Sequence, residues 1–174
     1  HPRTKELADS VRTRGCKDAP QLQLSRIPHS QGSFFQGILG EAGDCTQLLW
    51  NLREVKSEWE AEQMRSSGQV NCWMFEAIFD EGGEGVAEIE LAAAADSVSR
   101  GDGVGGHIMM RKWAMNCDRV VIAAGHSGAV PTYFDSAVGG AGPHPMAGLG
   151  AGFHRIKPGE PVLVDIVHCH RGYV

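Results

Sequence analysis

The residues whose types and spacing could do chemistry lie late in the chain. His168-Cys169-His170 sets two imidazoles two positions apart, and on an extended strand such residues project to one face and could chelate a single ion. The plainer reading, two partly exposed histidines on one sheet face, is the expected one. Asp165 closes the run Val162-Leu163-Val164, which reads as buried. A carboxylate there is costly unless it is paired or bound to a cation, so Asp165 is the position to test first. In a regular strand Asp165 would share a face with Val167 and Cys169, while His168 and His170 point the other way. Without a bulge, the aspartate and the histidines therefore belong to separate sites.

Two glycine motifs invite other chemistries and fail on context. Gly101-Asp102-Gly103-Val104-Gly105-Gly106 contains GxGxxG, but a dinucleotide fingerprint needs a strand before it and a helix after it, and here a helix precedes a strand. Gly125-His126-Ser127-Gly128 follows a strand like a nucleophile elbow, yet Ala129 stands where GxSxG needs glycine, and no helix is expected after the turn.

The elements that must position these residues can be read from periodicity. Pro2, Leu7, Val11 and Gly15 describe a short helix with a glycine stop, Gln21 to Ser25 a half-buried strand, and Pro28 to Leu39 a second helix. The apolar Leu48-Leu49-Trp50 then leads into Arg53-Glu54-Val55-Lys56. Ser57 and Glu60 fit a capping box opening a long helix whose buried stripe would be Trp59, Val70, Trp73 or Met74, and Ala77 or Ile78. The turn Asp80-Glu81-Gly82-Gly83 ends it. Glu84 to Val98, with Val86, Ile89, Ala93 and Ser97 on one side, reads as an antiparallel partner helix closed by Arg100-Gly101. Gly105 to Arg111, Arg119 to Ala124 and Glu160 to Cys169 read as strands, the last introduced by Lys157-Pro158-Gly159. Gly125 to Phe153 has no periodicity and reads as a long, tightly turning loop of the kind that carries binding sites.

Composition narrows the partners. With 174 residues, 42% hydrophobic and 21% charged, the chain suits one ordinary domain or two small ones. No apolar run approaches the roughly 20 residues of a membrane-spanning helix. A net charge of −5 and an isoelectric point near 5.9, without a basic stripe, argue against nucleic acid and anionic membrane as partners. Five widely spaced cysteines, Cys16, Cys45, Cys72, Cys117 and Cys169, suit reduced, mostly buried thiols, and hence a cytoplasmic location, better than a disulfide frame.

Four segments in order resemble the pita-bread metallopeptidases, the family of Xaa-Pro aminopeptidase, prolidase and creatinase. Leu52-Arg53-Glu54-Val55-Lys56-Ser57-Glu58-Trp59-Glu60 is similar to the family's R-x-x-K-S-x-x-E entry to the catalytic domain, and Gly85-Val86-Ala87-Glu88-Ile89-Glu90 to its G-x-x-E-x-E helix start. Val121 to Gly125 with Pro131 is similar to V-A-S-G-x-N-x-x-x-P-H, and Ile156 to Asp165 with Gly172-Tyr173 to I-x-x-G-x-x-V-x-x-D followed by G-Y-x-x-D. The resemblance implies an α+β fold. Residues 1–54 would be the C-terminal part of a small α/β N-terminal domain of creatinase type, and 55–174 the N-terminal half of a pita-bread catalytic domain, so the chain reads as a fragment.

By that resemblance, two divalent ions (Mn, Co or Zn) held by two Asp, one His and two Glu activate a bridging water for attack on the peptide carbonyl. Asp165 matches the first Asp. The second would fall two positions past Val174 and the other ligands further on, so this chain is expected to bind no metal pair and cleave nothing alone. The implied partners are a peptide with proline second and another copy of the protein in a homodimer. The family's His after Pro is replaced by Thr132, which is no imidazole donor, so Thr132 with His126 or His144 from the same loop become the substrate-side candidates. Two alternatives share the fold: a non-catalytic module that binds peptides or proteins, and a metal-free, creatinase-like amidinohydrolase.

Overall fold

The computed structural model describes residues 6, 8–10, 13–14, 19–104, 108–109, 116–117, 119–132 and 138–174. They divide into two compact units, one running up to Lys56 and one starting at Ser57. Of the expected first helix, Pro2, Leu7, Val11 and Gly15 lie outside the described residues, while Glu6, Ala8, Asp9, Ser10 and Thr13 are helical.

In the first unit, strand β1 (Gln21–Leu22) pairs in parallel with β2 (Gly43–Asp44). β1 is shorter than the expected Gln21 to Ser25, because Leu24, Ser25 and Arg26 turn instead. Helix α1 (His29–Leu39) starts after Pro28, whose fixed φ suits that boundary, and α2 (Thr46–Glu54) takes up the apolar Leu48-Leu49-Trp50. Asp44 organises the entry to α2. Its carboxylate accepts from the amide and hydroxyl of both Ser25 and Thr46, and these bonds, the two hydroxyls first among them, lower its pKa from 3.8 to about 2.

In the second unit, α3 (Glu58–Glu81) opens with the expected capping box: Ser57 Oγ accepts from Glu60 N at 3.3 Å, and Glu60 Oε2 accepts from Ser57 N at 2.7 Å. Its buried face is Gln63, Ser67, Val70, Met74 and Ile78, at helical spacing. Trp59 and Trp73 lie off that stripe and are exposed; Trp59 stacks edge-on against Tyr173 with ring centroids 5.8 Å apart. Helix α4 (Glu88–Gly101) starts four residues later than expected and ends three later. It buries Glu88, Leu91, Ala95 and Ser99, and the expected face is displaced, with Ala93 and Ser97 in solvent. The run Ala92 to Ala95 carries no marker of which side is buried.

Strands β3 (Ile108–Met109) and β4 (Asn116–Cys117) form a short antiparallel pair, the rest of the expected Gly105 to Arg111 strand lying outside the described residues. Strand β5 (Val120–Ala124) is buried along its whole length and pairs antiparallel with β6 (Val162–Ile166). β6 is shorter than the expected Glu160 to Cys169 and only half-buried, with Val162 exposed. The register sets Val120 against Ile166, Val121 against Asp165 and Ile122 against Val164. Directly opposed residues share a face. Val120, Ile122, Val164 and Ile166 therefore face Val70, Met74, Ile78, Leu91 and Ala95 in one apolar core, and Val121, Leu163 and Asp165 stand on the other side of the sheet.

Cys45, Cys72 and Cys169 are free thiols, as expected, but none is fully buried and Cys72 is exposed; Cys16 and the side chain of Cys117 lie outside the described residues. Among the described residues no helix is long and apolar enough to cross a membrane.

Candidate functional site

Asp165 occupies the face of β6 turned away from the helices. Its neighbours along the strand are Val164 and Ile166, it is half-buried, and no hydrogen bond or ion pair with a described residue engages its carboxylate. A partly desolvated, unpartnered carboxylate on a strand fits one ligand of a metal centre. Alone it supplies too few donors to hold an ion pair.

The loop between β5 and β6 is anchored by Glu88. Its carboxylate, wholly buried, accepts from Ala124 N at 2.7 Å, Gly152 N at 2.8 Å and Ser127 Oγ at 3.2 Å, and Ser127 Oγ accepts in turn from Ala141 N at 3.2 Å. One side chain at the start of α4 thus holds the chain at Ala124, Ser127 and Gly152. Contrary to the expectation that no helix follows β5, Gly125–Gly128 forms a single helical turn, α5. The Ser127 hydroxyl inside it is engaged by Glu88, donating to Oε2 at 3.2 Å. The loop folds back tightly enough to need glycine: a Cβ on Gly142, whose φ is +65°, would stand 1.9 Å from the Ala147 carbonyl oxygen.

The three substrate-side candidates sit on this loop. His126 is exposed on α5, the Thr132 hydroxyl donates to Val138 O at 3.3 Å, and His144 is exposed with its Nδ1 accepting from Met146 N at 3.1 Å.

His168 and His170 differ from the expected pair on a sheet face. β6 has ended before them, and His168 is fully buried while His170 is half-buried. Ser67 Oγ of α3 donates to His168 O at 2.6 Å, and Ser99 Oγ of α4 meets His168 Nδ1 at 2.9 Å. The same Ser99 oxygen accepts from the buried Arg119 guanidinium, which also pairs with Asp96. His170 stands at the base of a two-residue hairpin with mutual 2.9 Å backbone bonds to Tyr173; Arg171 and Gly172 carry φ of +51° and +89°, as type I′ turns require.

The two rings meet at Asp102, the residue that ends α4. Its Oδ2 lies 3.2 Å from His168 Nε2 and 3.4 Å from His170 Nδ1. Burial lowers the His168 pKa below its ordinary value, against the Asp102 carboxylate, which raises it. Sequence inspection passed over Asp102 because its only local context is the failed GxGxxG motif, and its partners lie 66 and 68 positions away. Asp165 and the two histidines stand apart: Asp165 is on the face of β6 turned away from the helices, whereas His168 packs against Ser67 of α3 and Ser99 of α4.

Solved structures share the fold. The chain is similar to the Xaa-Pro dipeptidase from Bacillus anthracis (19% identity, TM-score 0.69), covering 95% of this chain and 39% of that one. It is similar to the X-Pro aminopeptidase from Thermotoga maritima MSB8 (18%, TM-score 0.65; 94% and 40% covered) and to the prolidase from Pyrococcus horikoshii OT3 (18%, TM-score 0.66; 94% and 39% covered). No curated protein matches the sequence. The fold is that of part of a pita-bread domain, and the chain spans about two fifths of the length of the solved structures it matches. The sequence model of metallopeptidase family M24 matches residues 62–174, and the chain belongs to that family.

Proposed function

We propose that this chain supplies one metal ligand, Asp165, and a substrate-side loop to a dinuclear metallopeptidase that cleaves peptides at an Xaa-Pro bond, and that the 174 residues are inactive alone. The observation that carries the reading is the family match over the segment that places Asp165 unpartnered on the sheet face away from the core. Asp165 would hold one ion. When bound, the pair of ions supplies a nucleophilic water and stabilises the oxyanion. The chain's own residues do the positioning: β5 fixes Asp165 through the ladder, and Glu88 fixes the loop bearing His126, Thr132 and His144, which orient the peptide. In this reading residues 1–54 close a creatinase-type N-terminal domain, residues 55–174 open the catalytic one, and the working protein is a cytoplasmic homodimer using Mn, Co or Zn.

The test is release of the first residue from Xaa-Pro peptides by the full-length protein with added Mn2+. The expected result is metal-dependent release; no activity above a chelated control would overturn the reading.

A further inference from the structure

The cluster at the end of α4 has features that a plain hydrogen-bonded network does not explain. His168 Nδ1 is engaged by Ser99, so Nε2 is the nitrogen turned toward Asp102. Nε2 is fully buried and has no hydrogen-bond partner in good geometry, its close contact being the ion pair with Asp102 Oδ2 at 3.2 Å. A buried polar atom without a well-formed hydrogen bond is rare, and an ion between the imidazole and the carboxylate would satisfy both. The spacing says which kind. Atoms bound to one tetrahedral ion at about 2.0–2.2 Å lie about 3.3–3.5 Å from one another. The Asp102 oxygen stands 3.2 and 3.4 Å from the two imidazole nitrogens, and all three donor atoms lie within 4.8 Å of one another.

We propose that Asp102, His168 and His170 bind one Zn2+-class ion, separate from the Asp165 centre, which staples the C-terminal end of α4 to the hairpin following β6. Two imidazoles and one carboxylate suit Zn2+ and its transition-metal neighbours, whereas Mg2+ and Ca2+ demand oxygen donors throughout. Three protein ligands leave a position for water. Ser99 acts as a positioning residue, fixing which ring nitrogen faces the ion, as partners of metal-bound histidines do. Ser67, through the His168 carbonyl, holds the backbone beside it. The proposal does not depend on the peptidase reading, because Asp165 stands apart on the face of β6 turned away from the helices.

The experiment uses the full chain carrying Asp165→Asn, so that the other centre is not counted, stripped with chelator and titrated with Zn2+ by calorimetry and with Co2+ by visible absorption. One equivalent is expected, with a Co2+ spectrum showing nitrogen ligation and a raised melting temperature on Zn2+ addition. His170→Ala and Asp102→Asn, both at the surface end of the cluster, should weaken binding by about 100-fold or more, and Ser99→Ala by about 10–100-fold. Circular dichroism checks that each variant is folded. No binding by the parent, or equal affinity in folded Asp102→Asn and His170→Ala, would overturn the proposal.

Discussion

Glu88 shows how much one side chain can organise. Its carboxylate takes three donors, from Ala124, Ser127 and Gly152, and it does so where water cannot replace it. Truncation leaves Ala124 N and Gly152 N buried without acceptors, each such loss costing about 1–3 kcal/mol. Glu88→Ala is therefore expected to destabilise the chain by about 3 kcal/mol, read as a shift in the urea midpoint; a change within experimental error would show that the loop is held otherwise. The motif Gly85 to Glu90 was legible as a family signature, but its physical job was not, since the donors come from residues 36 and 64 positions away. Asp44 makes a pH-dependent contribution. Its folded pKa of about 2 lies below its ordinary 3.8, so the stabilisation is fully present above about pH 4 and is lost as pH falls through about 2. The stability difference between the protein and Asp44→Asn should shrink over that window in acid titrations of unfolding, and a difference constant with pH would contradict the assignment.

At the level of elements, local signals proved the most readable. The capping box at Ser57 and Glu60 is a short-range pattern with a short-range cause, and it forms as expected. Ser57→Ala should cost about 1 kcal/mol in thermal unfolding, with Ser57→Thr retaining most of it. Facing was harder. Trp59 and Trp73 look like core residues by composition, yet the buried stripe runs through Gln63, Ser67, Val70, Met74 and Ile78, and its Ser67 donates to the His168 carbonyl. The alanine-rich helix hides its buried face as well. Strand β6 was readable from its Val-rich run, but its end was not: the chain leaves the ladder after Val167 N bonds Arg119 O, and buried Ser67 and Ser99 then capture His168. That capture brings Asp102 to the histidines, a contact no spacing rule could supply.

The whole molecule combines a family fold with a substantial apolar exterior. Phe75 and Phe79 sit one turn apart on the outer part of α3, and Leu48, Leu52 and Val55 are exposed in the first unit. Apolar surface of this kind promotes association. Light scattering on the 174-residue chain should show a mass that rises with concentration; a monomer at all concentrations would contradict this. The order and spacing of four motifs carried the family, which the match to metallopeptidase family M24 bears out, whereas the proposed roles of Asp165 and of the loop residues His126, Thr132 and His144 rest on motif position and geometry. The most direct test is Asp165→Asn in the full-length protein, assayed for Mn2+-dependent release of the first residue from an Xaa-Pro peptide alongside circular dichroism. Loss of activity in a folded variant is predicted, since the amide cannot serve as an anionic metal ligand. Activity equal to the parent would contradict the assignment of Asp165 to the metal centre.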